Sequence, residues 1–369
     1  MSQKTIPFTP LVDSLPAAIP FIGPETLERQ RGKPFDARIG ANESAFGMSP
    51  KAIAAVIEEA PRSAWYGDSL SWPLRAALAD HHGVDPDEIL IGAGIDALLG
   101  NVVRILAGPG AAVVTSAGAY PTFNYHVTGF GAALKTVPYR DDAEDPDALI
   151  AEIKETGAPL AYFANPDNPM GTWYDAGTIQ RLIDRIPDGC VLVLDEAYID
   201  FAPDGTAPAL DPANPKVLRM RTFSKAHGMA GLRIGYTIAH KDLITGLNKV
   251  RNHFENNRLA QVAALASLQD LSFVQSVCQE VARGREEINA IAKGLGLTAL
   301  PSATNFVAID MGRDGDYART VLKELDARGV FVRMPGVAPL DRCIRVTVGT
   351  QQDRKIFGER LTEVLASLA

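Results

Sequence analysis

Cysteine is scarce in this chain: three thiols, Cys190, Cys278 and Cys343, in 369 residues. They lie far apart, with no Cys-x-x-Cys pair and no zinc spacing, which excludes a disulfide framework and a thiolate metal centre. No metal site is expected, and the sparse, odd count reads as reduced thiols in a cytoplasmic protein. Basic runs are also missing. With a net charge of −8 and a pI near 5.4, neither a nucleic-acid surface nor a membrane patch is expected. No apolar run approaches the length of a membrane span. The N-terminal MSQKTIPFTPLVDSLPAAIPFIG is broken by prolines and does not read as a signal peptide. Two phosphate motifs are absent as well. The turn 92-GAGIDALLGNVVRIL-106 is not Gly-x-Gly-x-x-Gly, and no Gly-Lys-Ser/Thr follows it, which argues against a dinucleotide-binding dehydrogenase and a Walker loop.

What is present is a hydrophobic fraction of 46%, enough for a large core and for two domains. Short apolar runs rich in branched residues alternate with helical patterns from about residue 40. Seven candidate strands are 89–92, 112–116, 134–139, 160–165, 191–196, 217–223 and 234–239. Several are apolar on both faces, the pattern of a mostly parallel α/β sheet with helices on both sides. Past about 285 the pattern changes to helix, short strands near 305–310, 329–333 and 343–349, and a last helix. That suggests a smaller C-terminal α+β domain. The division expected is an arm over 1–38, a large domain over 39–255 and a small domain over 256–369, to which the arm contributes.

In open parallel sheets, ligands sit beyond the carboxyl ends of the strands. After 89-ILIG-92 comes a glycine turn that opens a helix, where free N–H groups favour a phosphate. After 160-LAYFAN-165 comes PDNPMG, with Asn168. The run 191-VLVL-194 ends on Asp195, an acid after four apolar residues that needs a partner if buried. After 217-VLRMRTFS-224 comes Lys225. Each feature alone reads as a turn, a cap or a solvated side chain. Together, a phosphate cup, an amide, a buried acid and a lysine describe a site for pyridoxal phosphate, whose aldehyde a lysine bonds as a Schiff base. His227, the pair His81-His82 and the cysteines read as packing or capping residues.

The segments 165-NPDNPMGT-172, 195-DEAY-198, 222-TFSKAHGMAGLRIGY-236 and 342-RCIRVTVGT-350 resemble those of fold-type I pyridoxal-phosphate aminotransferases, most closely the histidinol-phosphate aminotransferase group. The resemblance runs from 39-IGANES-44 to 345-RVTVGT-350. It implies that Lys225 bonds the cofactor and then carries the substrate proton, while Asp195 pairs with the pyridinium N–H. Asn168 and Tyr198 would meet the ring oxygen, and Phe123 would stack on the ring. Ala93 and Gly94 amides, Thr222, Ser224 and Arg233 would hold the cofactor phosphate, with Tyr66 reaching it from the other subunit of a homodimer. Arg345 would clamp a carboxylate, Arg333 would meet a substrate phosphate, and Asn42 would face the substrate. The activity implied is ping-pong transfer from an amino donor, histidinol phosphate or an aromatic amino acid, to 2-oxoglutarate. A decarboxylase of a phosphorylated amino acid has a similar sequence. A non-catalytic regulator of the same fold would lack Lys225 or carry a DNA-binding extension.

Overall fold

The computed structural model describes residues 6–17 and 21–368; residues 1–5 and 18–20 of the expected arm, and residue 369, lie outside these. Among the described residues twelve strands are formed: β1 (Ala37–Arg38), β2 (Ile89–Gly92), β3 (Ala112–Ser116), β4 (Ala133–Val137), β5 (Leu160–Ala164), β6 (Val191–Asp195), β7 (Val217–Thr222), β8 (Gly235–Ala239), β9 (Thr298–Ala299), β10 (Phe306–Asp310), β11 (Val330–Phe331) and β12 (Cys343–Thr347). Strands β2 to β8 make one seven-stranded sheet, in the order β2-β8-β7-β6-β5-β3-β4. Every pairing in it is parallel except those of β8, which runs antiparallel to β2 and β7. Strands β2, β5 and β8 are buried along their whole length, as expected of a sheet covered on both faces.

Register decides where the chemistry falls. Ala164 lies opposite Asp195, and Asp195 opposite Met220, so β5, β6 and β7 end on one edge. Gly92 and Thr222 both pair with Gly235, which brings the end of β2 to the same edge. That edge is where an open α/β sheet receives a ligand.

A second core forms around β10 and β12, under the helices Leu271–Gly294, Gly315–Ala327 and Gln351–Ser367; it also takes in Tyr198 and Ala226. Here β12, β10 and β9 make an antiparallel sheet, and β1 pairs parallel with β11, so the end of the arm belongs to this unit. The helix Arg258–Leu268 instead packs Ala260, Ala263 and Ala264 against Leu74, Leu78 and Ile91 on the large sheet's side. We propose that the small domain begins after this helix, near residue 270.

Candidate active site

Most helices of the large unit start on a side chain that accepts their first free N–H groups: Ser49, Asp145 and Asp175 do so. The helix Gly94–Leu106, like those at Trp72–His82 and Pro121–Gly129, has no such cap. The first N–H groups of this helix, Gly94, Ile95 and Asp96, therefore have no side-chain cap, with the positive end of the helix dipole behind them. Arg233, itself held at φ +57°, lays its guanidinium across this turn. A methyl group at Gly94, whose φ is +80°, would sit 2.6 Å from the arginine's Nη2. Arg233 also donates to the Ala230 carbonyl at 2.9 Å and to Asp96 at 3.4 Å, and Asp96 accepts from Tyr120 at 2.8 Å. Thr222 accepts from the Ser224 N–H at 3.0 Å beside it. The cradle fits a phosphate monoester.

Asp195 closes β6 in a position 5% exposed. Its Oδ2 accepts from the Tyr162 hydroxyl at 2.7 Å and its Oδ1 from the Ala197 N–H at 2.9 Å. Among the described residues no lysine or arginine forms an ion pair with it. Burial accordingly pushes its pKa up to about 6, as desolvation does to a carboxylate without a cation. A protonated ring nitrogen would supply the missing charge.

Lys225, just past the end of β7, donates from Nζ to the Asn42 carbonyl at 3.1 Å. Its pKa is lowered to about 8, first by burial and then by the Arg345 charge. Asn42 is buried at φ +56° and donates from Nδ2 to the Tyr198 hydroxyl at 3.0 Å. Asn168 donates to the same hydroxyl at 3.4 Å. Tyr198 thus accepts twice, leaving its own O–H to donate; burial raises its pKa to about 12, so the proton stays in place at neutral pH. Arg345 donates to Asn168 Oδ1 at 2.5 Å and to the Gly40 carbonyl at 3.3 Å. Its backbone pairs with that of Arg333 in an antiparallel bridge, which puts both side chains on one face. The Arg333 guanidinium meets the Ile22 carbonyl and lies over the Phe21 ring at 4.3 Å. Neither guanidinium has a carboxylate partner among the described residues.

The structure therefore joins Lys225, Asn42, Tyr198, Asn168, Arg345 and Arg333 in one chain of contacts, with Asp195 on the neighbouring strand end and Arg233 at the uncapped helix. Two expected residues stand apart. Tyr66 is 76% exposed and stacks on Phe254 at 4.5 Å. Phe123 has no exposed surface, and its ring stacks on Tyr162 at 4.7 Å. It therefore holds Tyr162 against Asp195, a correction to its expected place on a ligand's face: no part of its ring is left open. Asn42 likewise spends its side chain on Tyr198 and Thr347.

Several contributors were not read from the sequence. Tyr162, the lone phenol in an otherwise apolar strand, gave a signal that could have been used. Asp167 and Glu144 gave none. Asp167 accepts from Tyr139 at 2.8 Å and from the Met170 N–H at 2.9 Å, which pins the turn carrying Asn168. Glu144 bonds Ser116 at 2.6 Å and the Ala164 N–H at 2.9 Å. Burial raises the pKa of both acids.

Gly228, three residues after Lys225, is a position where only glycine fits. At φ +71°, its Cβ would fall 2.0 Å from the Gly47 carbonyl oxygen. G228A is expected to cost about 3 kcal/mol, from the backbone strain and the forced retreat of the 42–47 loop. Urea unfolding of wild type and variant measures this; equal midpoints would mean the loop yields freely.

Comparison with known proteins places the chain. It belongs to the aminotransferase class I and II family, whose model matches residues 37–361; it is a pyridoxal-phosphate-dependent transaminase with the fold-type I architecture. It is 33% identical to histidinol-phosphate aminotransferase 2 of Carboxydothermus hydrogenoformans, over 97% of this chain and 99% of that one. It is 35% identical to the histidinol-phosphate aminotransferase of Roseiflexus castenholzii, over 96% and 97%. The crystal structure of histidinol-phosphate aminotransferase from Sinorhizobium meliloti in complex with pyridoxal-5'-phosphate superposes with a TM-score of 0.95, at 47% identity and 98% coverage of both chains.

Proposed function

We propose that the chain moves an amino group from a phosphorylated donor, histidinol phosphate, to 2-oxoglutarate, using Lys225 as the cofactor-bonding and proton-carrying amine. Bound pyridoxal phosphate supplies an aldehyde for that amine and a ring that draws electrons from the substrate Cα. The protein's own groups do the rest. The Gly94–Asp96 amides, Arg233, Thr222 and Ser224 hold the phosphate. Asp195 keeps the ring nitrogen protonated, and Asn168 and Tyr198 bond the ring oxygen. Lys225, whose amine burial already brings down toward neutrality in the cofactor-free fold, would take a proton at Cα and return it.

One observation carries the choice of substrate: Arg333 and Arg345 lie side by side, bonded only to neutral acceptors among the described residues. Two adjacent guanidiniums without an ion-pair partner among the described residues suit a dianion. A phosphate monoester answers that in one half-reaction and a dicarboxylate in the other. The similarity to histidinol-phosphate aminotransferases supports the same donor. The test is the absorbance of the bound cofactor. Histidinol phosphate should abolish the band and 2-oxoglutarate restore it. A band lost only with some other amine would sink the substrate reading.

R333A is expected to raise KM for histidinol phosphate about 50-fold or more, the worth of a charge-assisted phosphate contact. KM for an unphosphorylated aromatic donor should change little. Steady-state kinetics with both donors decides, and equal losses would remove the phosphate role.

We also read the protein as a cytoplasmic homodimer. No described helix is long and apolar enough to cross a membrane. Ile57, Trp65, Tyr66 and Phe254 are all more than half exposed, the kind of patch that a second copy covers. A particle of 39.5 kDa in sedimentation, the mass of one chain, would contradict this.

A further inference from the structure

The Asn42 carbonyl that receives Lys225 does not stand on its own loop's merits. Asn42 sits in the left-handed backbone region, which costs a non-glycine residue about 1 kcal/mol or more, so something must hold it there. Two side chains from the small unit do. Asn305, just before β10, donates from Nδ2 to the Asn42 carbonyl at 3.1 Å and reaches the Glu43 carbonyl at 3.5 Å. Thr347, at the end of β12, accepts from the Asn42 N–H at 3.0 Å and donates to its Oδ1 at 3.0 Å. Asn305 is 2% exposed, and its Oδ1 is buried without a partner among the described residues. Its amide is turned with both contacts spent on carbonyls, at the expense of its own oxygen. Backbone bonds from Thr347 N to the Ile39 carbonyl (2.8 Å) and from Val348 N to the Asn305 carbonyl (2.7 Å) tie the same pieces together.

We propose that Asn305 and Thr347 are positioning residues for Lys225: they fix the Asn42 carbonyl as the acceptor on which the free lysine amine rests. The small unit thereby sets the protonation and aim of an amine anchored on the large one. The inference rests on the reading of Lys225 as the cofactor-bonding amine. It goes further, since neither residue touches the substrate or the cofactor in that reading.

The charges facing Lys225 fix the sign of the effect. Burial and the guanidiniums of Arg345 and Arg233 disfavour the ammonium form, while Asp96 and Glu43 favour it; the Tyr198 ring lies 5.6 Å from Nζ. A carbonyl accepting an N–H stabilises the ammonium more than the amine. Releasing Asn42 therefore lowers the amine's pKa further. If Asn305 instead merely competed with Lys225 for the carbonyl, removing it would raise that pKa.

The experiment uses the full-length chain stripped of cofactor. Pyridoxal 5'-phosphate is added across a pH series and its capture is followed by absorbance. Capture joins the amine nitrogen to the aldehyde carbon with loss of one water, so its rate follows the neutral amine. Wild type should show a midpoint near pH 8. N305A and T347V should shift it down by roughly half a unit or more. T347V keeps the side-chain volume and decides the matter if N305A does not fold. A folded variant with an unchanged or raised midpoint, even one slower at every pH, would overturn the proposal. K225A is the control: if it too captured cofactor covalently, the reading of Lys225 would be what had failed.

Discussion

K225A is expected to abolish transamination, with a fall of about 10^4-fold or more, because on the proposed reading one substitution removes both the covalent anchor and the proton carrier. The phosphate cradle at Gly94 and Arg233 is untouched, so cofactor should still bind, but borohydride treatment followed by mass spectrometry should find none of it fixed to the chain. A variant that kept wild-type turnover would end the reading. The same substitution has a consequence for stability. In the cofactor-free fold the Lys225 pKa is lowered to about 8 from an ordinary 10.5. Below pH 8 the native state carries a charge that burial and Arg345 disfavour, and the full penalty is present. Between pH 8 and 10.5 the native amine is neutral while the unfolded one still binds a proton, so stability rises with pH by up to about 3 kcal/mol. K225A lacks that rise. Denaturant unfolding of both cofactor-free chains at pH 7.5 and 10.5 measures the difference directly.

Most of the large sheet could be read because its inner strands are buried on both faces, and runs such as 89-ILIG-92 and 191-VLVLD-195 have no other use. Their ends could be read less well: the run expected over 134–139 stops pairing at Val137, where Pro138 follows with no N–H to give. The direction of β8 was not legible, since a strand buried on both faces looks alike either way round. Nor were β1 and β11, two-residue strands too short to show any period. The site divides along the same line. Groups at or within a few residues of a strand end, Asp195, Asn168 and Lys225, announce themselves by position when taken together. Asn305 and Thr347 do not, because the residue they hold lies 263 and 305 positions away. The left-handed turn at Asn42 that gives them their role has no glycine to mark it. Phe123 shows the opposite failure: the motif placed it in the right neighbourhood, but packing turned its ring to Tyr162.

D195N should lower kcat about 10^3-fold if Asp195 pairs with the ring nitrogen as proposed, through loss of a negative charge in a buried site. The substitution is clean because asparagine can meet both existing partners. Its Oδ1 can take the Ala197 N–H, and its Nδ2 can donate to the Tyr162 hydroxyl, which is free to rotate. Structure is thereby held constant while charge changes. In the cofactor-free fold the Asp195 pKa is raised to about 6 from 3.8, so the native state holds its proton more tightly than the unfolded chain. Wild-type stability therefore falls as pH rises from about 4 to 6, and the whole penalty, on the order of 3 kcal/mol, persists above pH 6. D195N has no such penalty. Without cofactor it should match wild type near pH 4 and exceed it at pH 7. Cofactor should narrow that gap, since a cationic ring nitrogen gives the carboxylate the partner it lacks; loading should raise the melting temperature of wild type more than that of D195N. Equal shifts on loading, or a D195N enzyme as fast as wild type, would mean that the carboxylate serves the sheet and its Tyr162 contact and not the ring. On the proposed reading, the buried acid costs the cofactor-free fold stability that a cationic ring nitrogen would return, and the difference between the two melting-temperature shifts would measure that return.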